Sequence, residues 1–141
     1  IVCKKRLRGR IGRSLLSSPS WFASLFPLAG GSLTNKYADE EKCRGARYTR
    51  YPGFMDRYFG SQNEAAVKAY SKVAAANGLT PAQLALSWCY HREHVASTII
   101  GATSIPQLKE DIEAYDIRLD DETLAEINKV YKQFTDPTKF A

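Results

Sequence analysis

The sequence predicts an α/β fold, mostly helical and carrying two buried strands, and three observations point to it. Residues 95–100, Val95-Ala96-Ser97-Thr98-Ile99-Ile100, are small, β-branched or apolar throughout, the composition of a strand covered on both faces. A second short apolar run at 22–28 gives the other strand. From residue 61 onward the remaining segments show apolar residues at helical spacing, opened by capping residues.

The strand at 95–100 leads through Gly101-Ala102-Thr103 into a helix with Ser104 as N-cap and Gln107 three residues on. A glycine where a buried strand ends lets a ligand approach the backbone, and the following helix aims unpaired N–H groups at any phosphate there. Gln107, Glu110 and Asp111 fall at i, i+3 and i+4, one face near the first turn that suits an adenine or ribose, and the Thr103 hydroxyl suits a phosphate. The same residues also have a purely structural use. Gln107 then completes a capping box with Ser104, while Glu110 and Asp111 complement the helix dipole.

Gly101-Ala102-Thr103 followed by Gln107-Leu108, Glu110 and Asp111 resembles the last cofactor-binding segment of the aldo-keto reductases, NADPH-dependent enzymes on a (β/α)8 TIM barrel. The resemblance implies that Gly101, Ala102, Thr103, Gln107, Glu110 and Asp111 hold the adenosine and 2′-phosphate of NADP(H). Two positions depart from the family pattern. Asp111 stands where Asn is commoner, and a carboxylate cannot donate the hydrogen bonds an amide can. Thr103 stands where many members carry Arg or Lys, so the 2′-phosphate would be gripped without a full charge.

A second segment, Pro27-Leu28-Ala29-Gly30-Gly31-Ser32-Leu33-Thr34-Asn35-Lys36-Tyr37, is similar to the family's loop after the seventh barrel strand, Tyr-Ser-Pro-Leu-Ala-Gly-Gly-x-Leu-Thr-Gly-Lys-Tyr. The likeness stops just before Pro27, where Leu25 and Phe26 replace an aromatic and a serine. In such a loop Gly30 and Gly31 let the backbone wrap a pyrophosphate while Lys36 supplies charge. The resemblance adds Pro27, Leu28, Ala29, Gly30, Gly31, Leu33 and Lys36 to the cofactor set. Without the other segment, Gly-Gly-Ser reads as an ordinary turn.

Residues 1–26 are expected to be a basic segment that is foreign to the fold or disordered. They carry Lys4, Lys5, Arg6, Arg8, Arg10 and Arg13 with no acidic residue. The formal charge of +5 is therefore local, since from residue 32 onward fourteen basic residues face fifteen acidic ones. A nucleic-acid or nuclear-import patch and an Arg-rich, Ser-rich transit segment are competing readings. The connection from 38 to 60 interleaves Arg44, Arg47, Arg50 and Arg57 with Tyr48, Tyr51, Phe54, Tyr58 and Phe59. Nothing in it alternates as a strand, which argues against a base-stacking sheet and for a long loop covering cofactor or substrate.

Ser61-Gln62-Asn63-Glu64 reads as a capping box opening a helix over about 62–77 that Asn77-Gly78 stops. Thr80-Pro81-Ala82-Gln83 opens another, with Thr80 as N-cap and Pro81 at the first helical position. The run Gly-Leu-Thr-Pro-Ala-Gln-Leu-Ala-Leu-Ser-Trp is also close to the family's usual sequence before its eighth strand. Asp120-Asp121-Glu122-Thr123 begins a last helix with Leu124, Ile127, Val130 and Tyr131 as its buried stripe. His91 and His94 lack a third ligand at metal spacing and read as surface imidazoles, so no metal is expected. Cys3, Cys43 and Cys89 are odd in number and suit a reducing compartment.

With two strands found where a closed barrel takes eight, residues 27–141 are expected to form the C-terminal portion, about the last quarter, of an incomplete aldo-keto reductase barrel. The flavour is that of the Tas-like group and its plant relatives. The resemblance implies hydride transfer from NADPH to a small-molecule aldehyde or ketone. The family's Tyr proton donor and its Lys, Asp and His partners match nothing here, so no catalytic residue is named and the chain alone is expected to be inactive. Two other readings stand: a non-enzymatic nucleotide-sensing interaction module like the family's channel-associated β-subunits, and a nucleic-acid binder resting on residues 1–13. At 44% hydrophobic and 11% aromatic the composition is that of globular material with no membrane-length run, and a cytoplasmic location is expected, with a plastid or other organelle as the alternative.

Overall fold

The computed structural model describes residues 22–34, 36–38, 44, 46–51, 53, 56–58 and 60–135. The basic run at 1–21, the Arg47 and Tyr48 side chains, Cys43, Phe54, Phe59 and the tail at 136–141 lie outside them. In chain order come β1 (Phe22–Ser24), 3-10 turns at Ala29–Thr34 and Lys36–Ala38, α1 (Arg47–Arg50), a 3-10 turn at Asp56–Tyr58, α2 (Ser61–Ala76), α3 (Pro81–Tyr90), β2 (Val95–Thr98), α4 (Ile105–Glu113) and α5 (Asp121–Gln133).

Helix α2 ends where Asn77-Gly78 was expected to stop it. Gly78 takes the left-handed conformation (φ 66°), its N–H donates to Ala75 O at 3.1 Å, and the Leu79 N–H donates to Ala74 O at 2.9 Å. The start of α2 differs from expectation. Its N-cap is Gly60 in extended conformation with no side-chain cap bond, so Ser61 is already helical and the expected Ser61–Glu64 box does not form. The buried Asn63 instead donates through Nδ2 to Arg57 O at 2.8 Å, tying the helix start to the preceding turn.

Helix α3 begins as the sequence indicates. Thr80 Oγ1 accepts from Gln83 N at 3.1 Å while Gln83 Oε1 accepts from Thr80 N at 2.9 Å, with Pro81 at the start. It packs against α2, β2, α4 and the turn at 29–34, which is why Ala82, Leu84, Ala85, Leu86, Ser87 and Cys89 are all buried. Asp120 caps α5, accepting from Thr123 N at 2.7 Å. The core lies among helices: Ala66, Tyr70, Val73 and Ala74 of α2, Leu84 of α3, and Ile127 and Val130 of α5.

Among the described residues β1 and β2 form a two-stranded parallel sheet, with Phe22 opposite Val95, Ala23 opposite Ser97 and Ser24 opposite Thr98. A further bond runs from Ile99 N to Ser24 O at 3.0 Å. The strands are shorter than expected and not covered on both faces. Ala96, Ser97 and Ile99 are exposed, because α3 is the helix that packs on β2 and the described residues put no third strand beside it. Past Ser24 the chain leaves the strand conformation, and Phe26 takes a positive φ of 58°. Helix α4 likewise shows solvent an apolar row, Ile105, Leu108 and Ile112, while Asp111, beside that row, is buried.

Candidate functional site

The parallel pairing of β1 and β2 fixes where the two glycine segments lie. Both strands end on the same edge, so the loop after β1 and the turn after β2 leave side by side from their carboxyl ends. In open α/β sheets that edge is where ligands bind.

The first segment turns through left-handed backbone. Ala29 (φ 49°), Gly30 (φ 68°) and Gly31 (φ 96°) all have positive φ, and the turn is held by Ala29 N donating to Phe26 O and Gly31 N donating to Leu28 O, both at 2.9 Å. Thr34 Oγ1 closes it with a 2.7 Å bond to Gly31 O. Gly31 has a second reason to be glycine: a Cβ there would lie 2.9 Å from both Cε and Nζ of Lys36. The Lys36 ammonium is thus folded back over the turn, 5.1 Å from the centre of the Tyr37 ring. Leu33 points inward and packs on the helical core, anchoring the loop; Pro27 and Leu28 are half-buried. The 56–58 turn leans on this loop through Ser32 Oγ donating to Tyr58 O at 3.4 Å, and Arg57 stacks 4.9 Å over Tyr58.

The second segment is open. Gly101, Ala102, Thr103 and Ser104 are exposed, and a Cβ on Gly101 would meet nothing within 4 Å. Ser104 caps α4, accepting from Gln107 N at 3.4 Å. Gln107 does not complete a box with it. Gln107 Oε1 accepts from both the N–H and the hydroxyl of Thr103, each at 3.0 Å. Glu110 Oε1 accepts from Thr80 Oγ1 at 2.6 Å, a contact across 30 residues that sequence spacing gave no means of finding.

The face expected to hold three polar side chains is divided. Gln107 is exposed and Glu110 half-buried, but Asp111 is only 4% exposed. Adjacent helix positions stand about 100° apart, so Glu110 and Asp111 straddle the edge of the face. Burial pushes the Asp111 carboxyl above its ordinary value, and the charge of Glu110 pushes the same way. Tyr90 Oη donates to Asp111 O at 2.8 Å, docking α4 onto the end of α3, and burial followed by the Asp111 charge raises the Tyr90 phenol.

His91 sits at the C-cap of α3. Its Nε2 donates to Tyr115 O at 2.9 Å, and its Nδ1 lies against the Arg118 guanidinium. Among the described residues no three His, Cys, Asp or Glu side chains gather to hold a metal, and no helix is long and apolar enough to cross a membrane. A cavity of about 150 Å³ lined by Ser87, Trp88, His91, Arg92, Arg118, Leu119 and Leu124 lies by the end of α3, where the chain enters β2. That is the opposite end of the strand from the glycine segments.

A family model described as the Aldo/keto reductase family matches residues 22–132. Protein tas of Escherichia coli (strain K12) is 44% identical over 110 residues, covering 78% of this chain and 32% of that protein. An aldo-keto reductase of Babesia bovis is 36% identical over 117 residues, 80% of this chain and 41% of its own length. A protein of Schizosaccharomyces pombe whose description names a voltage-gated potassium channel subunit beta is 33% identical over 109 residues, 74% and 32% of the two lengths. The chain therefore spans about a third of the length of the curated relatives it matches.

Proposed function

The chain belongs to the aldo/keto reductase family, and from that premise we propose that it forms the NADP(H)-binding end of a reductase barrel whose further strands complete the sheet beside β1 and β2. The observation that carries the reading is the parallel register of those strands, which sends the Gly30-Gly31 loop and the Gly101–Asp111 segment off one carboxyl edge.

The residues present fit an anionic dinucleotide. Left-handed backbone at Gly30 and Gly31 with the Lys36 ammonium folded beside it suits a pyrophosphate. Neither a positive φ nor crowding within the described chain calls for glycine at Gly101, so close approach of a ligand is the use we assign to its missing Cβ. In this reading Pro27, Leu28, Ala29, Gly30, Gly31 and Lys36 line the pyrophosphate side, with Leu33 anchoring their loop to the core. Gly101, Ala102, Thr103, Gln107 and Glu110 line the adenosine side, and Asp111 supports them from beneath.

When bound, NADPH supplies the hydride that reduces the carbonyl of an aldehyde or ketone. The chain's own residues bind and orient the nucleotide. Thr103 commits its hydroxyl proton to Gln107, leaving its oxygen only as an acceptor, so the preference for NADPH over NADH is modest. No residue of this chain is assigned the proton donor's role, and the 141-residue chain by itself does not turn over.

The test is a fluorescence titration of NADPH into the full-length gene product. Saturable binding that weakens about tenfold in Lys36→Ala supports the reading, on the scale of one lost charge-assisted contact; no saturable binding overturns it. NADPH oxidation with an aldehyde by the 141-residue chain alone overturns the claim of inactivity. The similarity to a channel subunit beta favours one second reading, a nucleotide-sensing interaction module. Nucleotide binding without turnover of any aldehyde or ketone by the full-length product would select it.

A further inference from the structure

We infer that Thr80, which lies outside both glycine segments, is a positioning residue that holds the Glu110 carboxylate ready for the nucleotide's adenine. The inference rests on the cofactor reading above and adds to it a residue that neither segment contains.

The hydrogen-bond geometry at Thr80 leaves its hydroxyl one role. Its oxygen accepts from Gln83 N at 3.1 Å, and its single proton goes to Glu110 Oε1 at 2.6 Å. The capping box at the start of α3 thus ends in a donor aimed at α4, from the helix end nearest the carboxyl edge of the sheet. Thr103 does the matching work on Gln107. Its N–H and hydroxyl both donate to Oε1, so the Gln107 amide nitrogen must face away from the turn.

The result is an ordered pair one turn apart on α4. Gln107 offers two N–H donors, Glu110 offers its second carboxylate oxygen, and neither group has a partner among the described residues. A donor beside an acceptor matches the edge of a purine, which presents a ring nitrogen next to an amino group. A glutamate left to rotate about its three side-chain torsions would have to be ordered at the moment of binding. Thr80 does that ordering beforehand, because the hydroxyl is itself fixed by the capping box.

A plain tie between α3 and α4 would use the same bond, so the test must separate holding the helices from aiming the carboxylate. The probe is 2′,5′-ADP, titrated calorimetrically into the full-length gene product. Thr80→Ser keeps the hydroxyl and is expected to bind as the parent does. Thr80→Asp keeps an N-cap acceptor but has no proton to give, and is expected to lose about tenfold in affinity, the scale of a hydrogen bond to a charged group. If the aspartate variant does not fold, Thr80→Gly serves, since glycine is tolerated at an N-cap and likewise donates nothing.

The Glu110→Gln background decides the route. There the loss caused by Thr80→Asp should vanish, because Thr80 acts through Glu110. A loss of the same factor in both backgrounds means direct repulsion of the phosphates and overturns the inference, as does unchanged affinity in Thr80→Asp and Thr80→Gly with only the melting temperature lowered. If Glu110→Gln alone leaves affinity unchanged, the positioning role falls while the nucleotide site stands. If the parent protein binds no 2′,5′-ADP, the cofactor reading itself fails and this inference with it.

Discussion

Thr123 Oγ1 donates a 2.8 Å hydrogen bond to Asn77 Oδ1, and the Asn77 amide donates in turn to Val73 O at 2.8 Å. One side chain therefore closes the end of α2 and anchors the first turn of α5, 46 residues later. Thr123 is 3% exposed. Thr123→Val keeps its shape and removes the donor. Because Asn77 is itself exposed, water can take up the acceptor, and a cost of about 1 kcal/mol is expected. Urea unfolding checks this as a lower midpoint at unchanged slope; an unmoved midpoint would show that the bond contributes nothing net.

Gly31 and Gly101 should respond differently to alanine. At Gly31 a methyl group meets Lys36 at 2.9 Å on a backbone of φ 96°, so Gly31→Ala should cost about 1–3 kcal/mol of stability and displace Lys36 as well. At Gly101 nothing stands within 4 Å, so Gly101→Ala should leave the melting temperature alone and weaken NADPH binding. Parallel melting and titration curves for the two variants check the contrast, and a drop in melting temperature at Gly101 would contradict it.

Leu86 is fully buried on α3, the helix that touches sheet, loop and both neighbouring helices. Leu86→Ala should cost about 2–5 kcal/mol, the range for a buried leucine whose surroundings relax only in part. Equilibrium denaturation measures it. A cost below about 1 kcal/mol would mean that the site collapses onto the smaller side chain.

Three of the shifted groups give separable contributions to the pH dependence, and their signs differ. Hydrogen bonding from Thr123, whose N–H donates to Asp120 Oδ1 at 2.7 Å while its hydroxyl proton is committed to Asn77, holds the Asp120 carboxyl below its ordinary value. A depressed carboxyl contributes stability above its unfolded value that is lost as pH falls through the folded one. Asp120→Asn keeps an N-cap acceptor and should flatten the acid limb of a plot of melting temperature against pH. Asp111 is raised by burial, so its contribution has the opposite sign: present below the ordinary carboxylate range, lost as pH rises through the folded value. Asp111→Asn should therefore raise the melting temperature at pH 7 and lose that advantage in acid. Tyr70 is raised by burial and then by Tyr131, so stability should also fall as pH climbs past the ordinary phenol value of about 10. An acid limb unchanged in Asp120→Asn would refute the first assignment.

What the sequence disclosed was local. Thr80, Pro81 and Gln83 specify a helix start within four residues, and Asn77-Gly78 specify a stop, so each was legible without knowing the fold. Ser61 misled because Gly60 takes the cap position one residue earlier, an alternative that short-range preference does not separate. Val95 to Thr98 reads as a strand from its β-branched residues, but burial depends on what lies beside it, and α3 covers it on one side. The same limit hid the Thr80–Glu110 bond, which exists only because α3 and α4 pack together. The two glycine segments were legible as motifs. That they share an edge was not, because parallel pairing joins strands more than 70 residues apart.

The apolar row of Ile105, Leu108 and Ile112 makes α4 the most easily opened of the four longer helices, α2 to α5. Its nine residues are fewer than a helix needs to persist in water unaided, and its exposed row contributes little burial to hold it. Amide exchange should therefore run faster there than in α2, α3 and α5, through openings that leave those helices closed. Gln107 and Glu110 ride on this helix, so under the proposed function any surface that covers the row should slow exchange and tighten the nucleotide in the same act. Under the function proposed above, completion of the sheet and affinity for the cofactor are thermodynamically linked through about two turns of exposed hydrocarbon.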